Sequence, residues 1–257
     1  MHPRRVHRRH LPLPAGRARS GRPLPTDRLS PAGLWRQQPP PGPTSVEQQA
    51  ADCRALLRHR GVARAHLVGH SFGGCVALKL ALEAPELVHS LALLEPGLMV
   101  GASAQAYRAA LERGRQRYRE AGAPVAVDEF LEARWPGYRA RLGQVRPGAV
   151  EQAVADAATW FEREVPGALR WTFGEAEAQR VAQPTLSVLG ERSEALWPRF
   201  GETHRLLLAW LPRAEGYVLP GAMHFLQVEN PRDLAGALAA FFARHPLGGR
   251  ETEGGAS

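Results

Sequence analysis

One ten-residue stretch, AHLVGHSFGG at 65–74, limits what this chain can fold into more than any other. A short apolar run leads straight into Gly69-His70-Ser71-Phe72-Gly73, and the apolar residues of CVALKLAL follow until Pro85 closes the segment. The order is strand, tight turn, helix, over 65–69 and 72–84. So abrupt a reversal strains the backbone of Ser71, and the glycines two before and two after it are expected to remove side chains that would collide, with Gly74 giving further room. The turn pushes the Ser71 hydroxyl out over the carboxyl end of a sheet. The helix N-terminus behind it favours developing negative charge, with the Phe72 N–H as a backbone donor.

The remaining pattern supplies the sheet. Ser45 with Gln48 has the form of a capping box, and Val46, Ala50, Cys53, Leu56 and Leu57 recur at helical spacing up to Arg60, where Gly61 ends the helix. SLALLEP at 90–96 reads as a strand that is apolar on both faces and ends at an acid. PTLSVLG at 184–190, a helix over 198–211, a strand at 215–219 and a helix over 231–244 continue the alternation. Apolar strands between helices signify a parallel sheet covered on both faces, an α/β architecture. Residues 97–182 read as helical throughout and form an insertion. The sequence has no internal repeat, no GxGxxG, no phosphate loop and no His/Cys spacing suited to zinc, so neither a cofactor nor a metal is expected.

Charge divides the chain sharply. Of the net +8, all belongs to residues 1–43, which hold nine Arg, one acid (Asp27) and ten of the 22 prolines; the other 214 residues carry 24 basic and 24 acidic side chains. Such a segment builds neither helix nor paired strand and reads as a disordered leader. With 32 Arg to a single Lys, the composition is that of GC-rich coding DNA, and the leader is expected to be out of frame or mis-started. A nucleic-acid-binding tail is an alternative, although only Trp35 interleaves its arginines. No segment has the ~18 apolar residues of a membrane span, and two cysteines make no disulfide scaffold. A cytoplasmic protein without a membrane partner is expected, of open oligomeric state. Residues 247–257 form a flexible tail.

A serine hydroxyl needs a base. Four histidines follow the turn once His70 is set aside as part of it. His89 precedes a strand, His204 lies within a helix where solvent or cap packing is expected, and His245 is at a fraying end. His224, in the loop LPGAMHFLQVENP after the last strand, stands at the same end of the sheet as Ser71, and it is the candidate base.

LVGHSFGG at 67–74, LLEP at 93–96, PTLSVLGE at 184–191 and PGAMHFLQVENP at 220–231 together make the chain, from Ser45 to about Pro246, resemble an α/β-hydrolase with a helical lid. The resemblance implies a core of residues 44–96 and 183–246, a lid of 97–182, and a serine hydrolase of carboxylic esters or related acyl bonds in a small molecule. Ser71 would be the nucleophile, His224 the base, and the Phe72 N–H an oxyanion donor. The acid that orients the histidine stays open. Its usual place, three residues after Gly190, is Ser193, flanked by Glu191 and Glu194; the second place the superfamily uses is Glu95, an expensive site for an unpaired charge.

In such a protein the lid supplies the substrate pocket. Trp135, Trp160, Phe161, Trp171 and Phe173 are expected to hold the lid together more than to wall that pocket, and Arg113, Arg115, Arg117 and Arg119, stepping by two, to scatter over a solvated surface. Only the last four of the superfamily's eight strands are recognisable, and the His-Gly pair whose loop gives the second oxyanion donor does not occur. The 65–69 strand would then be an exposed apolar edge, and a truncated, catalytically impaired hydrolase-like protein is the other expectation.

Overall fold

The computed structural model describes residues 44–247. The expectations of a disordered leader, a basic nucleic-acid-binding tail and a flexible C-terminal end therefore lie outside the described residues, apart from Leu247. Four parallel strands, β1 (Ala65–His70), β2 (Val88–Leu94), β3 (Thr185–Gly190) and β4 (Ala214–Leu219), lie side by side in chain order. Each is within two residues of the range expected from its apolar run. β2 begins earlier, at Val88, and stops before Glu95.

Side chains alternate across β2 as a pleated strand demands. Leu91 and Leu93 enter the core beneath α1 (Val46–His59) and α2 (Phe72–Glu83), while Ala92 and Leu94 join Leu186, Val188, Leu219 and Phe241 on the opposite face, under the helix Pro231–Arg244. Buried on both faces, β2 and β3 account for the unbroken apolar runs. At the start of α1, Ser45 Oγ accepts the Gln48 N–H at 3.1 Å, but the Gln48 side chain turns to Asp52 at 2.9 Å, so only half of the capping box forms. Among the described residues β1 pairs with β2 alone, and Val68 is 49% exposed, the apolar edge that the strand order implied.

Residues 97–182 are helical, with α3 (Ala104–Glu132), α4 (Tyr138–Val145) and α5 (Ala149–Ala155) followed by a π turn at Trp160–Glu164 and shorter helices. α3 breaks at Gly122 (φ 80°, ψ 174°) just before Pro124. Twelve residues of straight helix span about 18 Å, yet Arg117 Nε reaches Glu129 at 2.8 Å, so the two arms fold back on each other. The arginine run is thus more than a solvated surface. Arg115 donates to the Phe161 carbonyl at 2.9 Å and Arg119 makes two 2.8 Å bonds to Glu162. Phe161 is buried among the helices of 97–182, Trp135 is buried and stacks on Phe225 at 5.2 Å in the loop that carries His224, and Trp171 stacks on Phe173. Among the described residues no helix is long and apolar enough to cross a membrane.

The helical segment 97–182 is fastened to the first helix at two points. Gly167 lies against Thr44 so closely that a Cβ would strike the Thr44 carbonyl, and Gln49 Nε2 donates to buried Glu164 at 3.0 Å. Burial pushes the Glu164 carboxyl up to about 7. A carboxyl whose pKa is raised on folding favours the protonated form in the native state, so stability rises as pH falls from about 7 towards 4.5. Thermal melts between pH 8 and 5 should show this slope, and Glu164→Gln, which keeps a neutral partner for Gln49, should flatten it.

Candidate active site

Strand register brings three chain segments to one place. Gly69 lies beside Leu93 and His70 beside Leu94; Leu94 lies beside Val188, and Gly190 beside Leu219. The residues that leave β1, β2 and β4 at their carboxyl ends therefore emerge together, where ligands bind in open parallel sheets.

Ser71 follows β1 with φ 51° and ψ −118°, a conformation side chains rarely adopt. Its N–H donates to Leu94 O at 3.0 Å, and its carbonyl accepts the N–H groups of Gly74 at 3.0 Å and Gly97 at 2.8 Å, which lock the strain in place. The expected roles of the glycines need correcting. A Cβ on Gly69 would sit 2.5 Å from Gly73 O, and one on Gly74 would sit 2.6 Å from the Pro96 Cβ, whereas one on Gly73 would meet nothing within 4 Å. The close approaches are at Gly69 and Gly74, and Gly73 is free to vary. Gly73→Ala should match or exceed the wild-type melting temperature, since alanine is favoured over glycine in a helix by up to about 1 kcal/mol. Gly74→Ala should melt well below it.

His224 is buried, with Nε2 3.1 Å from Ser71 Oγ and Nδ1 2.8 Å from Glu95 Oε2. The other Glu95 oxygen accepts the Gly190 N–H at 2.7 Å. Glu95 leaves the strand at φ 43°, the second non-glycine residue with a positive φ among those described, and that kink turns its side chain across the end of β3. The other acids go elsewhere. Glu194 pairs with Arg205 at 2.7 Å, and Glu191 accepts the Gly221 N–H at 2.8 Å, so neither meets His224. Ser193 is buried beside Gly190.

Burial, then the charges of Arg199 and Arg134, hold the His224 pKa well below 6.5, so the imidazole is neutral and able to accept a proton. Burial also pushes Glu95 up, which the Ser193 and Gly190 groups and more distant charges oppose. Phe72, the first residue of α2, has an N–H with no intrahelical acceptor. That amide and the Tyr107 hydroxyl both approach Gly97, lying 3.5 and 3.4 Å from where its Cβ would be. Trp160 sets an edge on Phe72 at 6.1 Å, so one of the lid aromatics does reach the turn.

His70 has a role that sequence reasoning passed over. Its Nε2 lies 2.7 Å from the His224 carbonyl oxygen and its Nδ1 3.5 Å from Gln227 Nε2. Burial takes its pKa down to about 3, so it is neutral, and the contact to a carbonyl requires the proton on Nε2. His70 thereby ties the turn after β1 to the loop that carries His224. Its place between Gly69 and Ser71 was the available signal. His204, expected at solvent or a cap, instead meets Ser187 Oγ at 2.9 Å against the sheet, and His89 lies at the sheet's amino end, 3.1 Å from His245 O. Among the described residues no His, Cys, Asp or Glu cluster is gathered as a metal site.

Comparison with known proteins places the chain by family and fold. Residues 16–231 match the model of the alpha/beta hydrolase fold, a match that begins ahead of the described residues. The chain is 30% identical over 203 residues to the dihydrolipoyllysine-residue acetyltransferase component of the acetoin cleaving system of Pseudomonas putida, covering 74% of this chain and 49% of that protein. It thus spans about half the length of this curated relative. It is 29% identical over 212 residues to the putative carbamate hydrolase RutD of Pseudomonas syringae, covering 80% of this chain and 78% of the relative. A thermophilic esterase from Thermogutta terrifontis shares the fold with a TM-score of 0.68 at 21% identity, over 84% of this chain and 78% of the other.

Proposed function

Because the chain belongs to the alpha/beta hydrolase fold family, we propose that it hydrolyses carboxylic esters or related acyl bonds of a small molecule through an acyl-enzyme on Ser71. The contacts that support the reading are the two that join three segments of the chain, Glu95 Oε2 to His224 Nδ1 at 2.8 Å and His224 Nε2 to Ser71 Oγ at 3.1 Å. Ser71 Oγ attacks the carbonyl carbon while His224 Nε2 takes its proton. Negative charge gathers on the carbonyl oxygen, facing the Phe72 N–H. The imidazolium then gives its proton to the departing oxygen or nitrogen, and the acyl group stays on Ser71. Water repeats the sequence: it loses a proton to His224, attacks the acyl carbon and frees the acid, and the proton returns to Ser71. Glu95 keeps the proton of neutral His224 on Nδ1 and stabilises the imidazolium as it forms. The putative carbamate hydrolase among the relatives brings carbamates within the range of acyl groups to be tried.

A second reading, a slowed hydrolase, rests on the oxyanion corner. The Phe72 N–H is the backbone donor identified there among the described residues, and loss of one such donor typically lowers kcat by about 10²–10³-fold. Turnover numbers for p-nitrophenyl esters decide between the two.

A fluorophosphonate probe should label the wild type and fail to label Ser71→Ala; equal labelling of both would remove Ser71 from the reaction. Glu95→Gln should lower kcat by on the order of 10⁴-fold, and Glu194→Gln should change it only a few-fold. Since protonated His224 cannot act as the base and its pKa is lowered, kcat/KM should hold down to pH values below 6.5 and fall only under that. A pH profile with its acid limb at or above 6.5 would contradict the neutral imidazole.

A further inference from the structure

Two buried arginines make no hydrogen bond to a carboxylate among the described residues, although the charge of Arg199 acts on Glu95. Arg199, 2% exposed at the start of the helix Arg199–Trp210, has neither Nε nor Nη1 hydrogen-bonded. Arg134, 7% exposed just after α3, donates to the Phe130 carbonyl at 2.9 Å, and neither arginine has a carboxylate partner among the described residues. Aromatic rings hold both instead. The Arg199 guanidinium carbon is 3.8 Å from the centre of the Tyr107 ring, 4.4 Å from Phe200 and 5.3 Å from Trp197; that of Arg134 is 3.5 Å from Phe130 and 5.6 Å from Trp197. Rings solvate a cation weakly compared with an ion pair, and a buried charge left unpaired is strongly destabilising. Burial, with Arg199's like charge adding to it, pulls the Arg134 pKa down to about 10. Such a pair lowers stability unless something anionic arrives.

Ring contacts connect Arg199 to the site. Phe200, next in sequence to Arg199, stacks on the His224 ring at 4.7 Å. Tyr107, on whose ring Arg199 rests, presents its hydroxyl beside Gly97 where the Phe72 N–H also points. Arg199 is thus one ring away from both the base and the oxyanion corner. Outward from it, a cleft of about 370 Å³ between the arms of α3 is lined by Phe130, Arg134 and Trp197, with Arg113 and Arg117 on its walls. Glu129 lies on the same wall and pairs with Arg117 at 2.8 Å, which leaves Arg113 and Arg134 as the cleft's cations without a carboxylate among the described residues, beside the flat faces of Phe130 and Trp197.

We infer that the substrate cleaved at Ser71 carries a second, free carboxylate, which enters by this cleft and is bound by Arg199 and Arg134. The inference rests on the reading of Ser71 as nucleophile. A guanidinium offers planar donors that match a carboxylate, and Nε and Nη1 of Arg199 make no hydrogen bond that such a group would have to displace. The favoured substrates are then half-esters and monoacyl derivatives of small dicarboxylic acids, the reacting carbonyl at one end and the anion at the other. Neutral esters of the same length lack the group that relieves the two buried charges.

The test measures binding on full-length Ser71→Ala, which cannot turn the ligand over. Monomethyl glutarate and its neutral counterpart dimethyl glutarate are titrated by calorimetry, with inorganic phosphate as a second anion. The monoanion should bind at least about 10-fold more tightly than the diester. That advantage should vanish in Ser71→Ala/Arg199→Met, shrink in Ser71→Ala/Arg134→Met and return in part with Arg199→Lys. Equal binding of the two esters, survival of the preference in both methionine variants, or tighter binding of phosphate than of monomethyl glutarate would each overturn the inference. Should Arg199→Met not fold, Arg134→Met, on a different element, decides alone. Fluorophosphonate labelling without anion preference removes only the carboxylate site; anion preference with an unlabelled Ser71 removes only the nucleophile.

Discussion

A carboxylate taken out of water must be met by donors or by a proton, and Glu95 is taken out of water at the end of a strand buried on both faces. Its two oxygens are met from opposite directions, by the amide that ends β3 and by the imidazole that follows β4. One residue therefore ties three of the four strands together at their carboxyl ends. The positive φ at Glu95 makes this possible, because an extended residue there would have carried its side chain on along the strand. Ser71, one strand over, also has a positive φ and is held by hydrogen bonds to Leu94 and Gly97, the residues on either side of Glu95 and Pro96. The two strained residues are thus neighbours that share their restraints.

From that corner the rest of the molecule follows. The sheet sets the spacing of Ser71, Glu95 and His224; the helices on its two faces fill the core; and the helical segment 97–182 is fastened through Gly167 and Glu164 to the start of α1. His70 links the turn after β1 to the His224 loop, a direct tie between the segments that carry the proposed nucleophile and base. The helical segment 97–182 and the helix that follows β3 also contribute charge: the buried guanidiniums of Arg134 and Arg199 help keep His224 neutral.

Much of this was legible in the residues. Apolar runs of five to seven residues between helical segments gave the strands to within two residues, and GHSFGG announced the turn. The acid was not legible, because Glu95, Glu191 and Glu194 all stand at strand ends and only the register of β2 against β3, with one backbone torsion, decides which of them meets His224. Spacing around Ser71 suggested Gly73 as a tight residue, whereas the real close approach is between Gly74 and Pro96, which are distant in the chain pattern. The arginines misled in the same way. In the visible run at 113–119, Arg115, Arg117 and Arg119 find partners within residues 97–182, while Arg134 and Arg199, each isolated in sequence, are buried with no carboxylate partner among the described residues. Pairing of charges is decided by tertiary contacts, which leave no local mark.

The central claim, that Ser71 carries the acyl group during turnover, is tested most directly by acid-quenching the protein during hydrolysis of p-nitrophenyl acetate and locating the adduct by peptide mass spectrometry. A single acetyl group on Ser71, formed by the wild type and absent from His224→Ala, is the predicted result. Turnover with no covalent adduct, or an acetyl group placed elsewhere while Ser71 stays unmodified, would contradict it.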